Sequence, residues 1–204
     1  MRCLLSLLLC LSVSVSHSQD RTLLDRLCQD IGSSCVVMEY DYVARLSGLD
    51  NNGSGNLVAQ GQMWKLSGNG IEMFCDGKAV WIIDPTLKEV VIEPVSDPQN
   101  SFMTNPAMVF LRLHEDFVLN VSNPSDDGKS TVFYMEPKDE AWMEYMNVEI
   151  YKDSGAIRNM TFALTDGTLV KVEVNSMKLT PKVSDETFRP QTVFDSKWIV
   201  TDLR

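Results

Sequence analysis

Reactive side chains are scarce in this sequence. Two histidines occur in 204 residues, His17 and His114, so a Ser-His-Asp or Cys-His relay would have to use one of them. His17 lies in a leader-like segment. His114 follows an apolar run and precedes Glu115-Asp116, where a histidine complements the end of a helix dipole. No G-x-S-x-G or other nucleophile motif accompanies it. There is no C-x-x-C, no H-x-x-x-H and no P-loop. Asp50-Asn51-Asn52-Gly53 resembles the start of a calcium loop but lacks the distal glutamate. Asp126-Asp127 and Asp139-Glu140 are acidic pairs in loops, where such pairs are ordinarily solvated. Asn52, Asn120 and Asn159 open glycosylation-type triplets. These residues predict no enzyme, no metal and no cofactor.

The chemistry this sequence offers is soft and apolar. Eleven Met, eight Phe and four Trp occur. Met63, Trp64, Met73, Phe74, Trp81, Met103, Met108, Phe110, Met135, Trp142, Met143, Met146 and Met160 are spread over expected strands and one apolar helix. Methionine is flexible and polarisable, so a surface rich in it accepts varied apolar partners. An ordinary Met-rich core has the same composition.

The elements that must position these residues begin after a leader. Met1-Arg2, the apolar run Leu4–Val15 and the small residues Ser16 and Ser18 follow the secretory pattern. The run is shorter than the roughly 20 residues that span a bilayer. Cys10, the one candidate for a lipidated cysteine there, sits inside the run behind the bulky Leu9. Cleavage is expected near Ser18, leaving a single domain from Gln19 to Arg204 in the periplasm. The formal net charge is −10, and loss of Arg2 makes the remainder more acidic. That balance argues against nucleic acid or an anionic membrane surface as a direct partner. Cys28, Cys35 and Cys75 remain after the leader, an odd count. A Cys28–Cys35 disulfide and three buried thiols are both compatible with it.

Residues 21–30 predict a short helix, with Leu23, Leu24 and Leu27 on one face and Gly32 as its end. From Val36 the period becomes two: Val36, Met38, Tyr40 and Tyr42 alternate with Val37, Glu39, Asp41 and Val43. Asp50–Gly55 is a run of turn formers and is expected to be a loop. Strands follow at Leu57–Leu66, Ile71–Cys75, Lys78–Asp84 and Leu87–Val95, with Asp76-Gly77 a strong hairpin signal. Pro106 suits a helix's first turn, and Ala107–Leu113 is apolar nearly all round, so it should lie buried or over a cavity. Strands at Phe117–Val121, Thr131–Glu136, Tyr145–Tyr151, Ile157–Leu164 and Thr168–Lys178 complete about ten or eleven in all. Asp153-Ser154-Gly155 and Thr165-Asp166-Gly167 are the turns between the last three. Nearly every connection suits a hairpin, so one curled antiparallel sheet is expected.

Gly61-Gln-Met-Trp-Lys65 and the run Gly70-Ile-Glu-Met-Phe-Cys-Asp-Gly-Lys-Ala-Val-Trp-Ile-Ile-Asp-Pro85 resemble the LolA-type outer-membrane lipoprotein carrier family. Asp76-Gly77-Lys78, Trp81 and Asp84-Pro85 carry the match. Asn105–Leu113 falls at the family's mid-chain lid helix, Glu149–Ile157 resembles a later hairpin, and Phe188-Arg189-Pro190 resembles the closing Phe-x-Pro. Two departures occur. Leu66-Ser67 stands where the family carries an Arg-Pro pair tied to lid movement, and Glu39–Tyr42 replaces a Phe-x-Gln. The resemblance implies an incomplete, strongly curved antiparallel β-barrel, mainly β with short helices forming a lid over an apolar cavity. It implies a monomeric carrier of lipoprotein acyl chains or lipid, loaded by an inner-membrane donor complex and emptied at an outer-membrane acceptor. The same fold also serves as a lipid or partner sensor that regulates a membrane protein. Strand parity and the lid helix nominate Tyr40, Met73, Trp81, Ile83, Met108, Phe110 and Leu111 as residues lining the cavity.

Overall fold

The computed structural model describes residues 21–95, 110–125, 127–138 and 143–204. The expected leader and its cleavage point, residues 105–109 of the expected lid helix, Asp126, and residues 139–142 fall outside them. A helix, α1, covers 21–33 and continues through Gly32 rather than stopping there. It presents Leu24, Leu27 and Ile31, all buried, on one stripe.

Among the described residues twelve strands follow: β1 (Cys35–Leu46), β2 (Leu49–Gln60), β3 (Met63–Gly68), β4 (Ile71–Cys75), β5 (Ala79–Asp84), β6 (Glu89–Pro94), β7 (Phe117–Pro124), β8 (Ser130–Pro137), β9 (Met143–Tyr151), β10 (Ile157–Leu164), β11 (Leu169–Thr180) and β12 (Ile199–Asp202). They form one curved sheet, not closed into a barrel, in the order β12-β6-β5-β4-β3-β2-β1-β11-β10-β9-β8-β7. Two meanders, β1–β6 and β7–β11, are sewn together where β1 pairs with β11. Every pairing is antiparallel except that of β12 with β6, which is parallel. Irregular register at Glu39/Tyr40, Leu119/Val121, Ile157/Asn159 and Ala163/Leu164 adds local twist and bend.

The expected loop at Asp50–Gly55 is instead the first half of β2. The turn lies earlier, at Ser47 and Gly48, both with positive φ. Propensity loses here to pairing with β1. Gly55 lies opposite Tyr40, and a Cβ on it would come within 2.6 Å of the Tyr40 ring. The glycine therefore makes room for an aromatic side chain lying flat on the sheet.

Directly paired residues share a face, so the register sorts the sheet into two sides. The inner side holds Met38, Leu57, Leu66, Met73 and Val80, then on the other half Val172, Met160, Val148, Phe133 and Met135. These belong to the main core, where α1 also buries its stripe. The outer side is largely polar but turns apolar at β4–β6, where Phe74, Ala79, Ile83, Val90 and Ile92 form a second cluster. Phe194 and Trp198 of the C-terminal tail cover it, their rings edge-to-face at 5.1 Å. A 3-10 turn at Asp185–Phe188 anchors the tail against β3, with Phe188 fully buried. No described helix is long and apolar enough to cross a membrane.

Candidate functional site

The candidate site is the inner face. Before β7, residues 110–111 are helical and a short helix, α2 (Leu113–Asp116), follows. Phe110 and Leu113 are buried in the main core and Leu111 packs half-buried against it. Leu111 also lies near α1, since a Cβ on Gly32 would sit 3.8 Å from its Cδ2. α1 and this segment thus pack together on the inner face.

The face changes character along its width. Under the β8–β10 half it is tightly filled: Phe133, Met143, Met146, Val148 and Ile150 have no exposed surface. On β3–β5, Leu66, Met73 and Val80 remain half-buried. This half carries unfilled apolar surface in contact with the core. Tyr40 borders it, buried, and burial, with Tyr42 adding to it, pushes the Tyr40 phenol up to about 12. A neutral Tyr40 adds no charge to the apolar face.

The structure brings Tyr40, Met73, Phe110 and Leu111 to this face. Trp81 and Ile83 lie on the opposite side, in or against the cluster beneath the tail. Trp81 pairs with Phe74 and Ile83 with Glu72, whereas Met73 pairs with Ile82. The two residues therefore cannot line one cavity with Met73. The physical reason is already in the hairpin: its register sets odd positions of β4 against even positions of β5. Val80 and Ile82 are the inner-facing residues of β5 by the same rule. Met108 lies outside the described residues.

Groups with chemical potential are dispersed. His114 is exposed, its Nε2 3.2 Å from Asp25 Oδ1. Cys28, Cys35 and Cys75 are free thiols. Burial pushes the Cys28 thiol up to about 12, with Asp25 reinforcing the shift, and burial also raises Cys35 and Cys75. Asp127 accepts from the Lys129 amide, the Ser125 hydroxyl and Arg158, which hold its carboxyl at about 2. Arg158 also reaches Glu149 at 3.1 Å on the outer face. Among the described residues no group of three His, Cys, Asp or Glu side chains could hold a metal ion.

The family model described as "Outer membrane lipoprotein carrier protein LolA" matches residues 64–191, more than half of the chain. The chain belongs to the LolA family. No curated protein matches it in sequence. Among solved structures, an uncharacterized conserved protein from Thermus thermophilus shares 12% identity at a TM-score of 0.54, covering 89% of this chain and 98% of that one. A LolA superfamily protein from Nitrosomonas europaea is similar at 11% identity and TM-score 0.44, covering 84% and 97%. The MucA/MucB complex structure of Pseudomonas aeruginosa is similar at 12% and 0.34, covering 83% and 60%. At such identities the Thermus structure speaks to the fold, which is LolA-like. Against the family pattern, Leu66 is the notable position. It is half-buried on the inner face opposite Leu57 and Met73, so an aliphatic side chain extends the apolar surface where the family's lid-linked arginine was expected.

Proposed function

We propose that this LolA-family protein is a periplasmic carrier that holds lipoprotein or lipid acyl chains against its inner face, acting by binding and release without chemistry on its cargo. One observation carries the reading: a continuous apolar face, one half packed shut beneath helices and the other still offering Leu66, Met73 and Val80. Burying an acyl chain there gains about 25 cal/mol per Å² of apolar surface. Leu66, Met73 and Val80 already lie half-buried in the empty protein, so loading covers only their remaining exposed surface and the difference between empty and loaded states is small, as hand-over requires. A methionine-rich floor of Met38, Met135, Met143, Met146 and Met160 suits cargo of varied chain length, because methionine repacks at little cost. The proposal includes an inner-membrane donor complex that loads the protein and an outer-membrane acceptor that empties it.

Native mass spectrometry with lipid extraction, on protein purified from its own periplasm, tests this. A stoichiometric acyl-bearing ligand is expected. Apo-protein that also fails to take up lipoprotein in a release assay overturns it. Phe110→Asp is expected to abolish retention of the ligand, read by the same measurement, while circular dichroism still reports a folded sheet.

A further inference from the structure

Where α1 crosses the β7 edge of the inner face, the structure leaves a cavity of about 320 Å³. Its floor is apolar: Leu24, Leu113, Phe117 and Met135 are all buried members of the main core, and Leu119 packs against them. Its rim is cationic, in a chain whose net charge is −10. Arg21 and Lys138 both line it, and neither has a carboxylate partner among the described residues. Lys138 is held in place by neutral groups. Its Nζ donates to the His114 carbonyl at 2.8 Å, and its backbone amide donates to the Asp116 carbonyl. Asp25, the carboxylate on the rim, is occupied by His114.

An apolar floor of main-core residues, beneath two cations with no carboxylate partner among the described residues, has the complementarity of an amphiphile. We infer that this cavity binds the oxyanion head of a single acyl chain, with Arg21 and Lys138 on the head and the chain lying against Leu113, Phe117 and Leu119. The volume supports one chain, since pockets for small ligands run from about 300 to 1,000 Å³. Arginine's paired donors match a carboxylate or phosphate, and lysine adds a point charge. The inference rests on the acyl-binding reading above and adds to it a polarity: the charged end of the cargo sits at the β7 edge, away from β3–β5.

Calorimetric titration of the intact protein with dodecanoate, dodecyl phosphate and dodecanol, each below its micellar concentration, tests it. Both anions should bind at least several-fold tighter than the alcohol. The better of the two identifies the head group. Arg21→Gln with Lys138→Gln should weaken the anions roughly tenfold, the scale of two charged hydrogen bonds partly screened by water, and leave dodecanol unchanged. Asp25→Asn should tighten the anions, an effect that damage to the fold does not produce. Equal binding of alcohol and anions, or anion binding indifferent to the double variant, overturns the inference while leaving the carrier reading intact. Failure of all three ligands to bind overturns both.

Discussion

The two sides of the sheet are covered in different ways. On the inner side, α1 and the segment before β7 lie on a large apolar cluster through Leu24, Leu27, Ile31, Phe110 and Leu113. On the outer side, the tail lies on a small cluster of five buried residues and is pinned by directional polar contacts. Gln60 donates from Nε2 to the Val183 carbonyl at 3.2 Å and accepts from the Val183 amide at 2.8 Å. Arg189 reaches Asp76 at 3.0 Å. Burial raises the Asp76 carboxyl, but the amides of Ala79 and Lys78, together with Arg189, outweigh it and leave the group below the usual range. Dispersion contacts tolerate sliding, whereas paired hydrogen bonds fix one geometry. The outer cover is therefore held by directional contacts on a small cluster, the inner one chiefly by packing on a large cluster.

Substitutions on the two sides should separate accordingly. The largest effect is expected from Phe188→Ala, which empties a fully buried site in the tail. A loss of about 3–5 kcal/mol in denaturant unfolding is expected, with retained acyl binding in whatever fraction stays folded. Next comes a matched pair. Trp81→Glu places a charge beneath the tail and should cost about 2 kcal/mol or more without altering ligand retention. Met73→Glu, on the neighbouring strand and the other side, should instead abolish retention, as read by native mass spectrometry. If both variants lose ligand equally, the division of labour between the faces is wrong. Gln60→Ala should cost about 1 kcal/mol and speed proteolytic nicking between residues 181 and 198, with no effect on the inner face.

The smallest effect concerns neither cover. The Asp127 carboxyl is lowered to about 2 in the folded protein, chiefly by the Lys129 amide, against roughly 4 in an unfolded chain. Its contribution to stability is present above about pH 4 and is lost as the pH falls through about 2. Asp127→Asn should therefore flatten the stability profile between about pH 4 and 2 and leave the profile near neutrality unchanged in slope.

Much of the fold was legible from alternation. Val36–Tyr42 and Val170–Val174 announce strands, and Asp153–Gly155 and Asp166-Gly167 announce turns, because polar turn formers and period two coincide there. Asp50–Gly55 misleads because the segment is held by pairing with β1, where Gly55 makes room for Tyr40, an influence from across the sheet that no local window contains. β12 is unreadable for a related reason. Ile199–Asp202 is short and exposed along its length, and only its parallel partner β6 makes it a strand. The nomination of Trp81 and Ile83 failed on a point the sequence did contain, since each strand's parity was counted alone without carrying the register through the turn at Asp76-Gly77. The cationic rim at Arg21 and Lys138 had no local signal, because the two residues meet only when α1 is laid across the β7 edge.

The seam between β1 and β11 ties Cys35 to Thr180 across 145 positions. A chain that emerges amino end first exposes Val36, Met38 and Tyr40 on an open strand long before their partner has been made. Contacts so distant in sequence form slowly, and an unpaired apolar edge recruits the wrong neighbours meanwhile. Amides of β1 and β11 should accordingly be the last to gain protection in pulse-labelled hydrogen exchange during refolding, later than those of the β3–β6 meander. Synthesis of this protein thus carries a period of vulnerability whose length is set by the time needed to deliver residue 180.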